Sequence, residues 1–434
     1  MLEKTVEGKI RTVYFVSVAT LMYYLLQEVL QLPVYFTFRH VLALVLIASA
    51  FVCFLIRPNI ARASTAVKAG MVLSAQMLVM LTASLLIWCV ERTETVLIFR
   101  GLSYYFFFIN QISAAFAAMA MLYVFGERGL WYNLLAILTA NVMMIVTIMA
   151  EYGVGTYFRE LWTLIRTFAD ETGAVIIHAE IHELAFCVGA YLVYLLLYPR
   201  RTTWYLLFLG VSGFCFLSAF KRIAMAAIAA ALAMGWLLRL LEKRGRHKLA
   251  FKIMTAVMAA AIVVLLAYVA VVKLGVFTWL EEAGINTSGR AETYEAVDGM
   301  YTFSPAFLGR GMGYLTYQIG QDTTLNMDTV HNDFLQLYID VGFWGYILWL
   351  AAFTLLRIRY FGRRGNTAAA INAFAVLMYM LLTSSTDNTM NYPLVHTTIA
   401  ILIAGHGFDQ RVQEEETRLF GYVSPENRLK GDGG

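Results

Sequence analysis

Residues Val330–Gly345 read VHNDFLQLYIDVGFWG. A polar, titratable cluster, His331-Asn332-Asp333, meets the head of an apolar run that continues to Leu356. In a helix each residue turns by about 100°, which puts His331, Gly342 and Gly345 on one stripe. The run is long enough to cross a bilayer, so the cluster reads as the rim of a membrane helix. A histidine at such a rim points to a site, and glycines beneath it point to close helix packing. A polar cap above ordinary small-residue packing is the plainer alternative.

Composition supports the membrane reading. The 434 residues are 60% hydrophobic and 14% charged, with a mean hydropathy of +0.66. A soluble domain carries about 25% charged residues. The six prolines avoid the middles of the apolar runs, which predicts long unbroken helices. Cys53, Cys89, Cys187 and Cys215 lie in apolar segments without C-x-x-C spacing, so they read as small buried hydrophobes. The polar start of the chain lacks a small-residue cleavage site and predicts an uncleaved first span. The net charge of +4 follows from topology and gives no sign of a nucleic-acid partner.

Runs near 20 residues fall at about 12–31, 40–56, 70–90, 103–125, 131–150, 180–198, 203–220, 222–240, 252–274, 333–356, 368–386 and 391–408. The expected fold is an all-α polytopic integral membrane protein with about 12 transmembrane helices. Residues 203–240 would measure about 57 Å as one helix, nearly two hydrocarbon thicknesses, so they must fold back. The polar break is at Ser218, Lys221 and Arg222. With the N-terminus inside, most basic residues fall on the inner side, as at Arg57, Arg62, Lys68, Arg128, Arg200 and Arg239–Lys252. Glu151, Glu160, Asp170, Glu281, Glu292 and Asp298 fall on the other. The expected organisation is helices 1–9 in residues 1–274, a large external loop in 275–332, helices 10–12 in 333–408, and a flexible cytoplasmic tail in 409–434. Glu151 to Ala179 forms a second long outer segment.

Several outward-facing residues could carry chemistry. Lys221 and Arg222 stand at an outer turn against the charge rule; they read as a snorkelling anchor or as a cation for an anionic ligand. In NTSGRAETYEAVDGM, Ser288 is the expected cap of a short helix starting near Gly289, with Arg290, Tyr294 and Val297 on one face. A helix N-terminus plus an arginine is an anion site, and a solvated surface helix is the alternative. The glycines of LGRGMGY, Leu308–Tyr314, lack the strand–helix context of a dinucleotide fingerprint and read as a tight turn carrying Arg310. His178 and His182, with Glu180 and Glu183, read as a polar helix head lining an external cavity; the pair lacks a third ligand for a metal site. Asp387-Asn388, before Tyr392 and Pro393, could pair with an arginine or cap the last helix. The chain has no Asp-x-Asp, P-loop or G-x-S-x-G motif, which disfavours a nucleotide-sugar enzyme on the cytoplasmic side.

With these residues assembled, the chain resembles the O-antigen ligase and O-antigen polymerase family of bacterial envelope glycosyltransferases. The specific match is His331-Asn332, nine residues, Gly342, two residues, Gly345. Ser288-Gly289-Arg290 with Tyr294 is similar to the family's loop arginine and following aromatic. Leu308–Gly313 is similar to its Gly-x-Gly turn, and Arg222 to its outer-face arginine, with Lys-Arg in place of the more usual Ser-Arg. Asp387-Asn388 with Tyr392 resembles the family's tail. The likeness is concentrated in residues 205–405.

The resemblance implies a GT-C-like, metal-independent enzyme without a cofactor, in the bacterial cytoplasmic membrane with its active site facing outward. Its substrates would be an undecaprenyl-diphosphate-linked oligosaccharide and membrane lipid, with a flippase or a chain-length regulator as candidate partners. Arg222 and Arg290 could stabilise the departing lipid diphosphate, and His331 could accept a proton from the attacking sugar hydroxyl, with Glu292 or Asp387 as alternative bases. Lys221, Tyr294, Asn332, Asp387, His182 and Arg310 are the expected substrate-binding residues. A polymerase is preferred, being the more numerous branch; a ligase acting on a terminal acceptor is the alternative. A polytopic lipid-glycan transporter is the reading from another class. It predicts midplane charges and paired broken helices, whereas the span interiors read as nearly clean, with Arg100 as the main exception.

Overall fold

Span-length apolar segments become helices because a bilayer offers no partner for a free backbone N–H or C=O. The computed structural model describes residues 8, 9, 12, 35–56, 58–91, 105–167, 182–285, 287, 289–321, 330–362 and 366–421, with backbone alone for 35–42, 105–110, 182, 320, 321 and 391. Among these there is helix and no strand. The helices are α1 (Tyr35–Ile56), α2 (Ile60–Val90), α3 (Tyr105–Phe125), α4 (Arg128–Tyr152), α5 (Val154–Thr167), α6 (His182–Leu197), α7 (Thr203–Ala219), α8 (Arg222–Lys243) and α9 (His247–Lys273). They continue as α10 (Val276–Glu282), α11 (Arg290–Asp298), α12 (Tyr314–Gln321), α13 (Asp333–Ala351), α14 (Arg357–Phe361), α15 (Thr367–Ser384), α16 (Pro393–Gly405) and α17 (Phe408–Phe420). A π-helical turn, Ala352–Leu356, joins α13 to α14.

Six helical stretches among the described residues are long and apolar enough to span: Ile60–Val90, Arg128–Tyr152, Arg222–Lys243, His247–Lys273, Asp333–Phe361 and Thr367–Ser384. Five shorter apolar stretches, in α1, α3, α6, α7 and α16, fall on other expected spans. Apart from Thr12, the first expected span, 12–31, lies outside the described residues, as does Arg100. The fold-back between 203 and 240 is where the polar break placed it. α7 ends at Ala219, Phe220 turns left-handed at φ 43°, and α8 starts at Arg222.

The described residues fall into two compact units: 1–71 with 113–236 and 393–434, and 72–112 with 237–392. In the first, α6 packs against α4, α7 and α16. The phenol of Tyr191 donates to the Leu130 carbonyl at 2.8 Å and accepts from Asn133 at 2.9 Å, so these buried polar groups are satisfied inside the bundle. In the second, α13 packs against α9, and the Tyr346 hydroxyl donates to the Leu265 carbonyl at 3.2 Å. The buried Arg357 donates to the Leu73 carbonyl at 2.8 Å and lies 4.1 Å from the Phe353 ring centroid.

Several expectations need correcting. The tail after Gly407 is not all flexible: α17 is a docked helix, with Phe408 and Val412 buried one turn apart. Asp409 pairs with Arg62 at 3.1 Å, and Glu415 with Lys68 at 2.7 Å. Although partial burial opposes ionisation, Lys68, Arg418 and Ser64 hold the Glu415 carboxyl down to about 2. The density of charge disguised this helix, because its carboxylates are contacts rather than solvated ends. Cys89 is exposed, not buried, while Cys187 and Cys215 are buried. Among its described residues, segment 275–332 carries three short helices, α10 to α12.

The largest correction concerns Gly342. It breaks α13, with φ 72° and ψ −176°, where an unbroken helix was expected. A Cβ added there would lie 2.1 Å from the carbonyl carbon and oxygen of Leu308. Gly342→Ala therefore combines a left-handed backbone with a backbone clash, and should cost about 3 kcal/mol or more. Gly210→Ala, in α7, meets nothing within 4 Å and should gain helix propensity. Thermal melts of the purified variants should show a large loss for the first and no loss for the second.

Candidate functional site

The segment Phe307–Gly313 builds the site by replacing hydrogen bonds that α13 loses at Gly342. In a continuous helix the Phe343 N–H would reach the Ile339 carbonyl. Here it donates to the Phe307 carbonyl at 2.9 Å. The carbonyls of Ile339 and Asp340 accept instead from the N–H groups of Arg310, at 2.9 Å, and Gly311, at 2.8 Å. Such a close approach needs glycine on both sides: a Cβ at Gly309 would lie 2.5 Å from the Gly342 nitrogen. Gly311 lies against the Trp88 indole, and the Met312 N–H donates to the Ser84 hydroxyl at 2.9 Å. The expected tight turn is thus present, and it is also the partner of a broken helix.

Asp340, buried inside the apolar run, has a role here. Its carboxylate accepts from the N–H groups of Gly313 at 3.2 Å and Leu315 at 3.4 Å, where α12 begins. A carboxylate at a helix N-terminus satisfies donors that the helix cannot. Sequence reasoning passed over it, although an ionisable residue within a span is itself a signal. Gly345 fits the packing role expected of it: a Cβ there would lie 3.3 Å from Ala83.

At the head of α13 the three polar residues separate in role. His331 is exposed and has φ 49°, one of two positive-φ residues other than glycine among the described residues. Asn332 is fully buried and caps α13: its carbonyl oxygen accepts from the Leu335 N–H at 3.1 Å. Its amide nitrogen donates to the hydroxyls of Tyr294, at 3.1 Å, and Tyr268, at 3.4 Å. Both ends of this expected substrate ligand are engaged within the protein. Asp333 turns inward, where its carboxylate accepts from the Met390 N–H at 2.8 Å.

The same network reaches Arg290. The N-cap position of α11 is Gly289, and the Thr287 hydroxyl accepts from the Ala291 N–H at 3.3 Å; Ser288, the expected cap, lies outside the described residues. Tyr294 and Val297 are buried on the face that α11 turns inward, as their spacing predicted. Arg290 donates through Nη2 to the Thr386 carbonyl at 2.9 Å, beside Asp387. Tyr268 donates to the neighbouring Ser385 carbonyl at 3.2 Å. The α11 start, the His331 turn and the 385–387 turn are therefore tied into one cluster of the second unit. Tyr268 was missed because it is one aromatic residue within an apolar span. Among the described residues no carboxylate pairs with Arg290, and its Nε is buried without a hydrogen-bond partner.

The remaining expected residues are placed separately. Arg310 donates through Nε to the Met300 carbonyl at 3.1 Å and lies 5.9 Å from the Phe307 ring centroid. Asp387 accepts from the Asn388 N–H at 2.7 Å. Lys221, half-buried, and Arg222, exposed, form the turn into α8 and belong to the first unit. His178 lies outside the described residues, as does the side chain of His182, so the histidine pair has no described geometry.

Residues 205–350 match the family model described as O-antigen ligase. The match supports placing the chain in the O-antigen ligase and polymerase family. It spans Arg222, Arg290, Arg310, His331 and both Gly342 and Gly345; Asp387 falls outside it. A comparison with curated proteins finds no match.

The geometry separates two neighbouring residues by a stability measurement. Asn332→Ala removes the α13 cap and leaves two tyrosine hydroxyls short of a donor, a loss of about 2 kcal/mol. His331→Gly relieves a left-handed side-chain-bearing residue. Thermal melts should place Asn332→Ala clearly below wild type and His331→Gly no lower than wild type.

Proposed function

We propose that this chain is a glycan polymerase of the cytoplasmic membrane. It transfers an undecaprenyl-diphosphate-linked glycan onto a lipid-linked repeat unit at the outer face. The acceptor hydroxyl attacks the anomeric carbon of the donor glycan, a new C–O bond forms, and the bond to the lipid diphosphate breaks. The hydroxyl proton passes to His331, and the diphosphate leaves with its negative charge facing Arg290. The proposed reaction is metal-independent, because the Arg290 guanidinium and the start of α11 supply the positive potential that the leaving group needs.

The observation that carries this reading is the hydrogen-bonded cluster uniting the start of α11, bearing Arg290, with the exposed His331. Asn332 bonds to Tyr294 of α11, and Arg290 bonds to the turn beside Asp387. A cation for a leaving anion and an imidazole for a hydroxyl proton are the two groups this displacement requires. The positive φ of His331 adds support, since strained residues held by their surroundings gather at functional positions.

Transfer to a terminal acceptor, the ligase reaction, uses the same donor chemistry and is the second reading, favoured by the description of the matched family. Deleting the gene separates the two. Polymerase loss leaves single repeat units on the surface; ligase loss leaves lipid-linked polymer attached to nothing. An unchanged glycan contradicts both.

At wild-type expression, His331→Ala should lower polymer output about 10²-fold or more, the range of a lost general base. Arg290→Ala should do the same, in the range of a lost charge stabiliser. Full output from His331→Ala would remove the histidine from the chemistry and leave Asp387 or Glu292 as the base to test.

A further inference from the structure

Helix α5 follows the span α4 after a single residue, Gly153, which turns at φ 90°. With 14 residues it is about 21 Å long, too short to cross about 30 Å of hydrocarbon. Its side chains sort into three arcs at 100° per residue. Tyr157, Leu161 and Leu164 are buried, and the Phe158 ring lies 6.4 Å from Phe214. Next to that buried arc, Val154, Phe158, Trp162 and Ile165 form an apolar arc that is exposed, Trp162 by 66%. Thr156, Arg159, Glu160, Thr163 and Arg166 occupy the opposite side. The apolar surface covers about 160° of the helix, of which the protein covers only half.

What covers the other half is indicated by α4. That span carries its own exposed apolar stripe, Leu135, Val142 and Val146, on a single face by spacing. An exposed apolar stripe on a membrane span is a lipid-facing surface, since only the hydrocarbon can cover it. α5 begins at the end of that same span, so its exposed arc starts where the lipid-covered surface stops. Tryptophan beside charged residues is the composition of the membrane–water boundary. We propose that α5 is an interfacial helix lying in the plane of the bilayer surface. Val154, Phe158, Trp162 and Ile165 sink into the boundary between headgroups and acyl chains, and the exposed Arg159, Thr163 and Arg166 face water. The helix thereby fixes the depth of α4 in the bilayer.

Spin labels on the full-length protein in phosphatidylcholine nanodiscs test this. Single cysteines at 158, 159, 162, 163, 165 and 166 go into a background in which Cys53, Cys89, Cys187 and Cys215 are replaced. Wild-type-like melting of the unlabelled variants confirms folding, and Trp162→Cys and Arg166→Cys, both exposed, remain informative if Phe158→Cys is unstable. Labels at 158, 162 and 165 should favour dissolved oxygen as the relaxing agent, at depths of about 5–10 Å. Labels at 159, 163 and 166 should favour a water-soluble nickel chelate. Equal access of the chelate to all six positions would overturn the proposal. So would dipolar broadening at 162 between labelled copies, which would make the arc a contact between two chains.

Discussion

The contact between Gly309 and Gly342 is the constraint on which the second unit depends. Two backbones approach so closely that no Cβ fits on either. The approach lets one loop strand take over the hydrogen bonds of a broken membrane helix. A broken helix at membrane depth is tolerated only where protein re-satisfies its backbone groups, and Phe307–Gly313 does this bond by bond. The break also divides α13 into two parts. Its first part, from Asp333 to Val341, is tied to the start of α12 through Asp340, and its second part packs through Gly345.

From that fixed point the functional arrangement follows. With the first part of α13 held, Asn332 is the buried cap at its head, and its amide reaches Tyr294 and Tyr268. Those phenols hold the start of α11 and the 385–387 turn near the same corner, and Arg290 closes the circuit on Thr386. His331, immediately before the cap, is left-handed between two buried neighbours, Val330 and Asn332. The glycines, the asparagine and the tyrosines act as framework. His331 is exposed at its edge, and Arg290 is bonded into it through Thr386.

Much of this was legible in the sequence, for definite reasons. Hydropathy runs give spans because burial of a long apolar helix in lipid needs no tertiary partner to be recognised. The fold-back at Phe220–Lys221 was legible because a basic pair interrupts a run too long for one crossing. The pairing of Arg290 and Tyr294 with a helix face followed from their spacing. The break at Gly342 was not legible, since a glycine packed against a neighbouring helix and a glycine that ends one have the same spacing. What distinguishes them is a contact with Gly309, more than thirty residues away. The bonds from Asn332 to Tyr268 and Tyr294 were not legible, because these partners come from separate helices. Helix α17 was read as a tail because its carboxylates were counted as solvated charge, when Asp409 and Glu415 have fixed partners at Arg62 and Lys68.

The most direct test of the account is reconstitution of the purified protein in lipid vesicles with an undecaprenyl-diphosphate-linked repeat unit. If the chain is the proposed polymerase, the glycan lengthens while one undecaprenyl diphosphate is released for each unit joined. A glycan that stays one unit long and only changes sides of the bilayer would contradict it, and would make the chain a carrier of lipid-linked glycan rather than an enzyme acting on one.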